Sequence, residues 1–247
     1  MSPDHNSLHS VSAMTFDNQV AIVTGAGGGL GRCHAIELAR RGARVLVNDL
    51  GSAVDGSGAS ISAAQSVVDE ITAFGGIAVA NGDSVATADG GAAIVTAGMD
   101  AFGQVDILVN NAGILRDAAF KNMTADQFDA VLAVHLSGAF NVTRAVWPVM
   151  REQNYGRIVQ TTSGTGLFGN FGQANYGAAK MALVGLMQTL ALEGAKAGIR
   201  VNCLAPSAAT RMLEGLMPQD QLAALAPAAA SVASMRCSWR GAAPACW

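Results

Sequence analysis

An apolar run, Val20-Ala21-Ile22-Val23, passes directly into Thr24-Gly25-Ala26-Gly27-Gly28-Gly29-Leu30-Gly31, and this junction constrains the fold of the chain more than any other stretch. Four consecutive apolar residues bounded by a turn read as a strand buried on both faces, which belongs in a parallel sheet. Glycines at Gly25, Gly29 and Gly31 permit a tight bend and close backbone approach, so the chain can enter a helix at about Leu30. The pattern then recurs. Val45-Leu46-Val47-Asn48-Asp49 reads as a second strand, Ile77 to Ala80 as a third and Val105-Asp106-Ile107-Leu108-Val109 as a fourth; Arg157-Ile158-Val159-Gln160 and Arg200 to Leu204 complete the set. Helical faces alternate with them: Ile61, Ala64, Val68 and Ile71; then Ala92, Val95, Met99 and Phe102; then Phe128, Val131 and Leu132 behind a Thr124/Gln127 capping box; then Tyr176 to Ala195. Such alternation predicts a single α/β domain built on a doubly wound parallel sheet.

Composition narrows the classes of partner. With 51% hydrophobic and 13% charged residues, the chain suits a broad, helix-covered sheet and not bulk disorder. A net charge of −3 without a Lys/Arg run offers no field for nucleic acid. No apolar run approaches the ~20 residues of a membrane span, and Met1 to Asn18 lacks the apolar stretch of a secretory signal, so a soluble, cytoplasmic protein with no membrane partner is expected. Cys33, Cys203, Cys237 and Cys246 show no metal-ligand spacing; reduced thiols and no bound metal are expected. The chain divides into a polar N-terminal extension (1–18, with His5 and His9), read as mobile, a domain (19–227) and an atypical tail (228–247). The tail holds two of the four cysteines and two of the three tryptophans but no acidic residue, and shows neither a strand-like run nor a helical face.

Two groups of residues carry candidate chemistry. The glycine turn opens a helix whose free N–H groups can face phosphates. Asp49 ends the next strand about 20 residues on, where a carboxylate can accept hydrogen bonds from both ribose hydroxyls of an adenosine. It would also repel a 2′-phosphate, and the following residue is Leu50 instead of a compensating arginine, so NAD is expected over NADP. Asn110-Asn111-Ala112-Gly113 ends the fourth strand at the same sheet edge. The second group is Tyr176-Gly177-Ala178-Ala179-Lys180, thirteen residues after Ser163. A Tyr and a Lys four apart share a helix face, where an ammonium can favour the phenolate and allow proton handling near neutral pH.

These residues resemble the short-chain dehydrogenase/reductase family over roughly Gln19 to Pro227: the turn Thr24 to Gly31, Asn110 to Gly113, Ser163, and Tyr176 with Lys180. Within it, Asn48-Asp49-Leu50-Gly51, Asp83-Ser84-Val85, Gly113-Ile114-Leu115-Arg116-Asp117 and Gly169-Asn170-Phe171-Gly172-Gln173-Ala174-Asn175-Tyr176 most resemble the (3R)-hydroxyacyl-CoA dehydrogenase part of peroxisomal multifunctional enzyme type 2 and its bacterial relatives. The resemblance implies a Rossmann-type fold and an NAD-dependent interconversion of 3-hydroxyacyl-CoA and 3-ketoacyl-CoA in fatty acid metabolism. It implies Tyr176 as general acid/base, its pKa lowered by Lys180 and the cationic nicotinamide, and Ser163 as the hydrogen-bond partner of the substrate oxygen. Tyr176 and Lys180 would also contact the cofactor, Lys180 holding the nicotinamide ribose. The implied cofactor contacts are Gly25, Gly29, Leu30, Gly31, Asp49, Asp83, Ser84, Val85, Asn111 and Gly113, with Pro206 and Thr210 in a segment where Ser207 replaces the family's Gly. His135 stands where most of the family has a relay asparagine, and is read as either proton relay or core residue. The tail does not resemble the usual seventh strand, so a sheet without a regular seventh strand is expected, through truncation or an altered frame, exposing the edge of the sixth. A homodimer or homotetramer through the helices around Phe128–Met150 and Tyr176–Ala195 is implied. Two other readings stand beside this one: a dehydrogenase of hydroxysteroids or other hydrophobic secondary alcohols, Leu167-Phe168 being apolar enough to line either substrate's pocket, and a catalytically silent dinucleotide-binding protein.

Overall fold

The computed structural model describes residues 14–58 and 60–206. The expectations for His5, His9, Thr210, Cys237, Cys246 and the 228–247 tail, including the absent seventh strand, lie outside the described residues.

Strands β1 (Val20–Thr24), β2 (Arg44–Asn48), β3 (Ile77–Asn81), β4 (Ile107–Asn110), β5 (Gly156–Thr161) and β6 (Ile199–Leu204) form one parallel sheet in the order β3-β2-β1-β4-β5-β6. Each apolar run serves two cores because successive side chains point to opposite faces. Ala21, Val23, Val45, Val47, Ile107 and Val109 pack against Ala35 and Leu38 of α1 (Gly29–Arg40) and Val67 and Ile71 of α2 (Ser62–Ala73). Their alternates Ile22, Leu46, Leu108, Ile158 and Val201 pack against Ile94 of α3 (Ala88–Phe102), Val146 of α5 (Gly138–Gln153) and Met187 of α7 (Ala174–Gly194). Two shorter helices complete the set, α4 (Ala125–Leu132) and α6 (Gly164–Phe168). The chain winds outward from β1 to β3 and then in the opposite sense from β4 to β6, so the loops after β1 and β4 diverge. A crevice opens at that switch point, outside the carboxyl ends of the strands.

Three local expectations change. Ala92 is exposed; the inward face of α3 is Gly91, Ile94, Val95 and Gly98. The helix lies so close to α5 that a Cβ at Gly91 would come within 2.8 Å of the Asn141 Cβ. A reading based on apolar side chains cannot register residues chosen for having none. Ile61 flanks the start of α2 and is 54% exposed instead of joining its buried face. The packed fold also begins before Gln19: Phe16 is fully buried, donates its N–H to the Arg41 carbonyl at 2.7 Å, and is joined by Met14 against the first core. Met14 and Phe16 are thus part of the domain's packing and not of a mobile lead-in. Among the described residues, no helix is long and apolar enough to cross a membrane.

Candidate active site

A cleft of about 780 Å³ runs along the carboxyl edge of the sheet, from Asp49, Asp83, Ser84 and Val85 to Ser163, Tyr176, Lys180 and Pro206. Its floor is the glycine turn. Gly25 and Gly29 adopt φ of +62° and +52°, conformations that favour glycine. A Cβ on Gly25 would lie 2.6 Å from the Ala112 Cα, and one on Gly31 would strike the Gly25 carbonyl and the Asn111 amide. Gly25, Gly29 and Leu30 line the cleft, whereas Gly31 is buried and permits close packing behind it. α1 starts at Gly29 with Gly28 as N-cap and no side-chain cap, so its first N–H groups remain available to an anion.

Two asparagines and a threonine brace this floor. Asn111 donates its side-chain amide to the carbonyls of Thr24 and Gly25, both at 3.0 Å, while the Thr24 hydroxyl accepts from the backbones of Asn111 and Ala112. Asn111 therefore stitches β4 to the turn as well as lining the crevice. Asn48 donates to the Asn81 side chain at 2.8 Å and to the Asp83 carbonyl at 2.9 Å, fixing the end of β3 beside the cleft. The Asp49 carboxylate accepts from Gly27 N at 2.8 Å and Gly51 N at 2.6 Å. One such bond per oxygen leaves lone pairs on both for further donors.

At the other end, Ser163 caps α6, its hydroxyl accepting from Thr165 N at 3.2 Å. Tyr176 and Lys180 occupy successive turns of α7, with the Lys180 Nζ 5.5 Å from the phenol ring centroid. Lys180 is 3% exposed and donates to the Thr161 carbonyl at 2.5 Å. Burial pushes its pKa down to about 7, partly opposed by Cys203. For Tyr176 the protein groups act against the expected lowering: burial raises the phenol, hydrogen bonding with Ser163 lowers it, and the Asp117 carboxylate raises it. Desolvation of a phenolate outweighs what its neighbours return, because Lys180 is itself desolvated and directed at a backbone carbonyl.

His135 sits in a π-helical turn, Ala133–Ser137, between α4 and α5, and lines the cleft. The widened turn sets its ring edge-on to Tyr176, with centroids 5.1 Å apart at 88°. Its Nε2 lies 2.8 Å from the Ile114 carbonyl oxygen and 3.0 Å from Ile114 N, and burial pushes its pKa to about 3, so the ring is neutral at physiological pH. Leu167 and Phe168 do not line the cleft: Leu167 turns toward the second core and Phe168 is 89% exposed. Sequence reasoning assigned no role to Thr24, Asn48 or Gln173, whose work is to bond other segments. Their polarity, and their places in the strings that carry the resemblance, are the signals they carry.

The cradle, the carboxylate at one end and the phenol and amine at the other fit a dinucleotide. Among the described residues no group of three metal-ligating side chains gathers, and Cys33 and Cys203 are free thiols. The short chain dehydrogenase profile matches residues 19–221. A short-chain type dehydrogenase/reductase of Mycobacterium tuberculosis is 59% identical over 210 residues, covering 85% of this chain and 73% of that protein. The peroxisomal multifunctional enzyme type 2 of Mus musculus is 52% identical over 216 residues, covering 87% of this chain and 29% of the mouse protein, so the chain spans under a third of that longer enzyme. A solved 7α-hydroxysteroid dehydrogenase, complexed with NADH and 7-oxo glycochenodeoxycholic acid, superimposes with a TM-score of 0.82 at 29% identity, covering 91% of this chain and 88% of that one. With the match running through the glycine turn, Ser163, Tyr176 and Lys180, the chain belongs to the short chain dehydrogenase family of oxidoreductases.

Proposed function

We propose that this oxidoreductase uses NAD to interconvert a 3-hydroxyacyl-CoA, of (3R) configuration, and its 3-ketoacyl-CoA. The observation that carries the reading is the meeting of Ser163, Tyr176 and Lys180 at one end of a single cleft that ends at Asp49. The 52% identity to a peroxisomal multifunctional enzyme type 2 supports the thioester substrate. When bound, the nicotinamide supplies hydride chemistry. The protein's own groups do the rest. Ser163 donates a hydrogen bond to the substrate oxygen and stabilises charge as it develops there. The Tyr176 phenol takes the hydroxyl proton in oxidation and returns it in reduction. Lys180 holds ribose hydroxyls and favours the phenolate when protonated. The free lone pairs of Asp49 suit adenosine ribose hydroxyls, and its negative charge, followed by Leu50, disfavours a 2′-phosphate. Pro206, Asp83, Ser84 and Val85 line the same cleft; in this reading Pro206 faces the nicotinamide, and Asp83, Ser84 and Val85 flank the adenine.

A second reading, a hydroxysteroid dehydrogenase, is favoured by the steroid-complexed structural neighbour. The separating experiment is NAD reduction by 3-hydroxyacyl-CoAs and by hydroxysteroids in parallel. Turnover of the thioesters is expected, and steroid turnover alone would overturn the assignment. Tyr176→Phe should lower kcat by about 10²- to 10⁴-fold, the usual contribution of acid–base catalysis, while leaving NADH affinity nearly unchanged. Full activity in that variant would remove the proposed mechanism. A homo-oligomer joined through α5 and α7 is part of this reading: Phe140, Met181 and Leu192 are exposed apolar residues on those helices.

A further inference from the structure

One heavily bonded side chain near the catalytic end belongs to a residue outside the cleft lining. Gln173, the N-cap of α7, is buried, and its amide joins three segments. Nε2 donates to the Asp117 carboxylate at 2.8 Å, while Oε1 accepts from the Thr165 hydroxyl at 3.1 Å and from the Asn170 amide at 3.0 Å. That orientation is forced, because an ionised Asp117 can only accept and an amide has one accepting atom. A second tie runs alongside: Ala118 N donates to the Gly172 carbonyl at 2.9 Å. Asn175 adds a third, donating to the Arg116 carbonyl at 2.9 Å while its oxygen accepts from Tyr176 N at 2.8 Å.

We propose that Gln173 and Asp117 form a positioning pair: the amide orients Thr165 and through it Ser163, and it anchors one negative charge at a fixed place beside Tyr176. Thr165 must point its hydroxyl proton at Gln173, so its backbone N–H is the group left to engage the Ser163 oxygen at 3.2 Å. The Ser163 proton is then free for the substrate oxygen or the phenol. Asp117 opposes formation of the phenolate by like-charge repulsion. Among the described residues, the other titratable groups at this end are Lys180 on α7, the neutral His135 on the π turn, Cys203 on β6 against Lys180, and Arg116, which lines the same cleft. Among the described residues Asp117 is the one carboxylate in this group, and its hydrogen-bond donor at 2.8 Å is a neutral amide. The arrangement keeps the phenol protonated until Lys180 and the cofactor favour its ionisation together.

The test titrates the phenol directly in the full chain. The sequence contains two tyrosines, so in a Tyr155→Phe background the phenolate absorbance reports Tyr176 alone. Circular dichroism at each pH checks that the chain remains folded. Asp117→Asn preserves an acceptor for Gln173 and removes the charge; its titration midpoint should fall. Gln173→Glu sets a second carboxylate against Asp117 and should raise the midpoint. Gln173→Leu should lower kcat with little change in the affinity for NADH followed by fluorescence. Unmoved midpoints in the folded Asp117→Asn and Gln173→Glu proteins, or a Gln173→Leu protein with undiminished kcat, would overturn the pair. Only the kinetic arm rests on the proposed dehydrogenase activity. If the unmodified chain oxidises no alcohol while the midpoints still move in opposite directions, the proposed function fails and the charge-setting half of this inference stands.

Discussion

Lys180 predicts a measurable conflict between catalysis and stability. The side chain is almost wholly buried, and burial lowers its pKa from an ordinary 10.5 to about 7. At about 1.4 kcal/mol per pH unit, that gap corresponds to an upper bound of ~5 kcal/mol opposing the buried ammonium. The sign follows from proton linkage. Below pH 7 the amine is protonated both folded and unfolded, so the cost is fully present and does not vary with pH. Between pH 7 and 10.5 the unfolded chain binds a proton that the folded chain has released, so this group makes stability rise with pH. Replacing it with an apolar residue of similar length, Lys180→Met, removes the effect. The lost hydrogen bond to Thr161 costs about 1 kcal/mol in return. The expectation is a variant that melts higher than the parent at pH 6, with the advantage shrinking toward pH 10, while NAD reduction is lost. Even a third of the bound, ~1.5 kcal/mol, corresponds to roughly 3–6 °C in Tm for a chain of this size. Melting curves of both proteins from pH 6 to 10, without added cofactor, test it. A constant difference in Tm across that range would refute the reasoning, because an amine that titrates alike in both states contributes no slope.

Other outcomes follow from the two ends of the cleft. Asp49→Ala should weaken NAD by about 10- to 100-fold, the loss of hydrogen bonds to a charged acceptor, and raise the relative use of NADP; KM values for both cofactors report it. Equal use of the two by the unmodified chain would remove the role given to Asp49. Gly25→Ala combines a left-handed backbone with a Cβ 2.6 Å from the Ala112 Cα. It should cost at least ~1 kcal/mol of stability and abolish NADH binding, read by calorimetry and fluorescence titration.

Much of the fold was legible in the residue order. Apolar runs such as Val20–Val23 and Val45–Val47 can bury both faces only inside a covered parallel sheet, and Gly25 and Asp49 mark a turn and a carboxylate that the fold brings to one cleft. These are local signals, carried by residues whose chemistry has few other uses. The capping box at Thr124 and Gln127 likewise needs only its own neighbours, and it forms as the spacing requires. Tertiary structure decided the rest. Gly91 and Gly98 face inward because α3 closes on its neighbours, a fact set by the partner surface and invisible to hydrophobic periodicity. His135 meets Tyr176 only because the helix widens by one π turn, which no 3.6-residue pattern anticipates. The direction of the Tyr176 pKa depends on how much water the fold removes from the phenol and on a carboxylate nearly sixty positions away. Sequence determines which groups can exchange protons; burial and long-range contacts determine their charge state, because desolvation belongs to the folded environment and not to the residue.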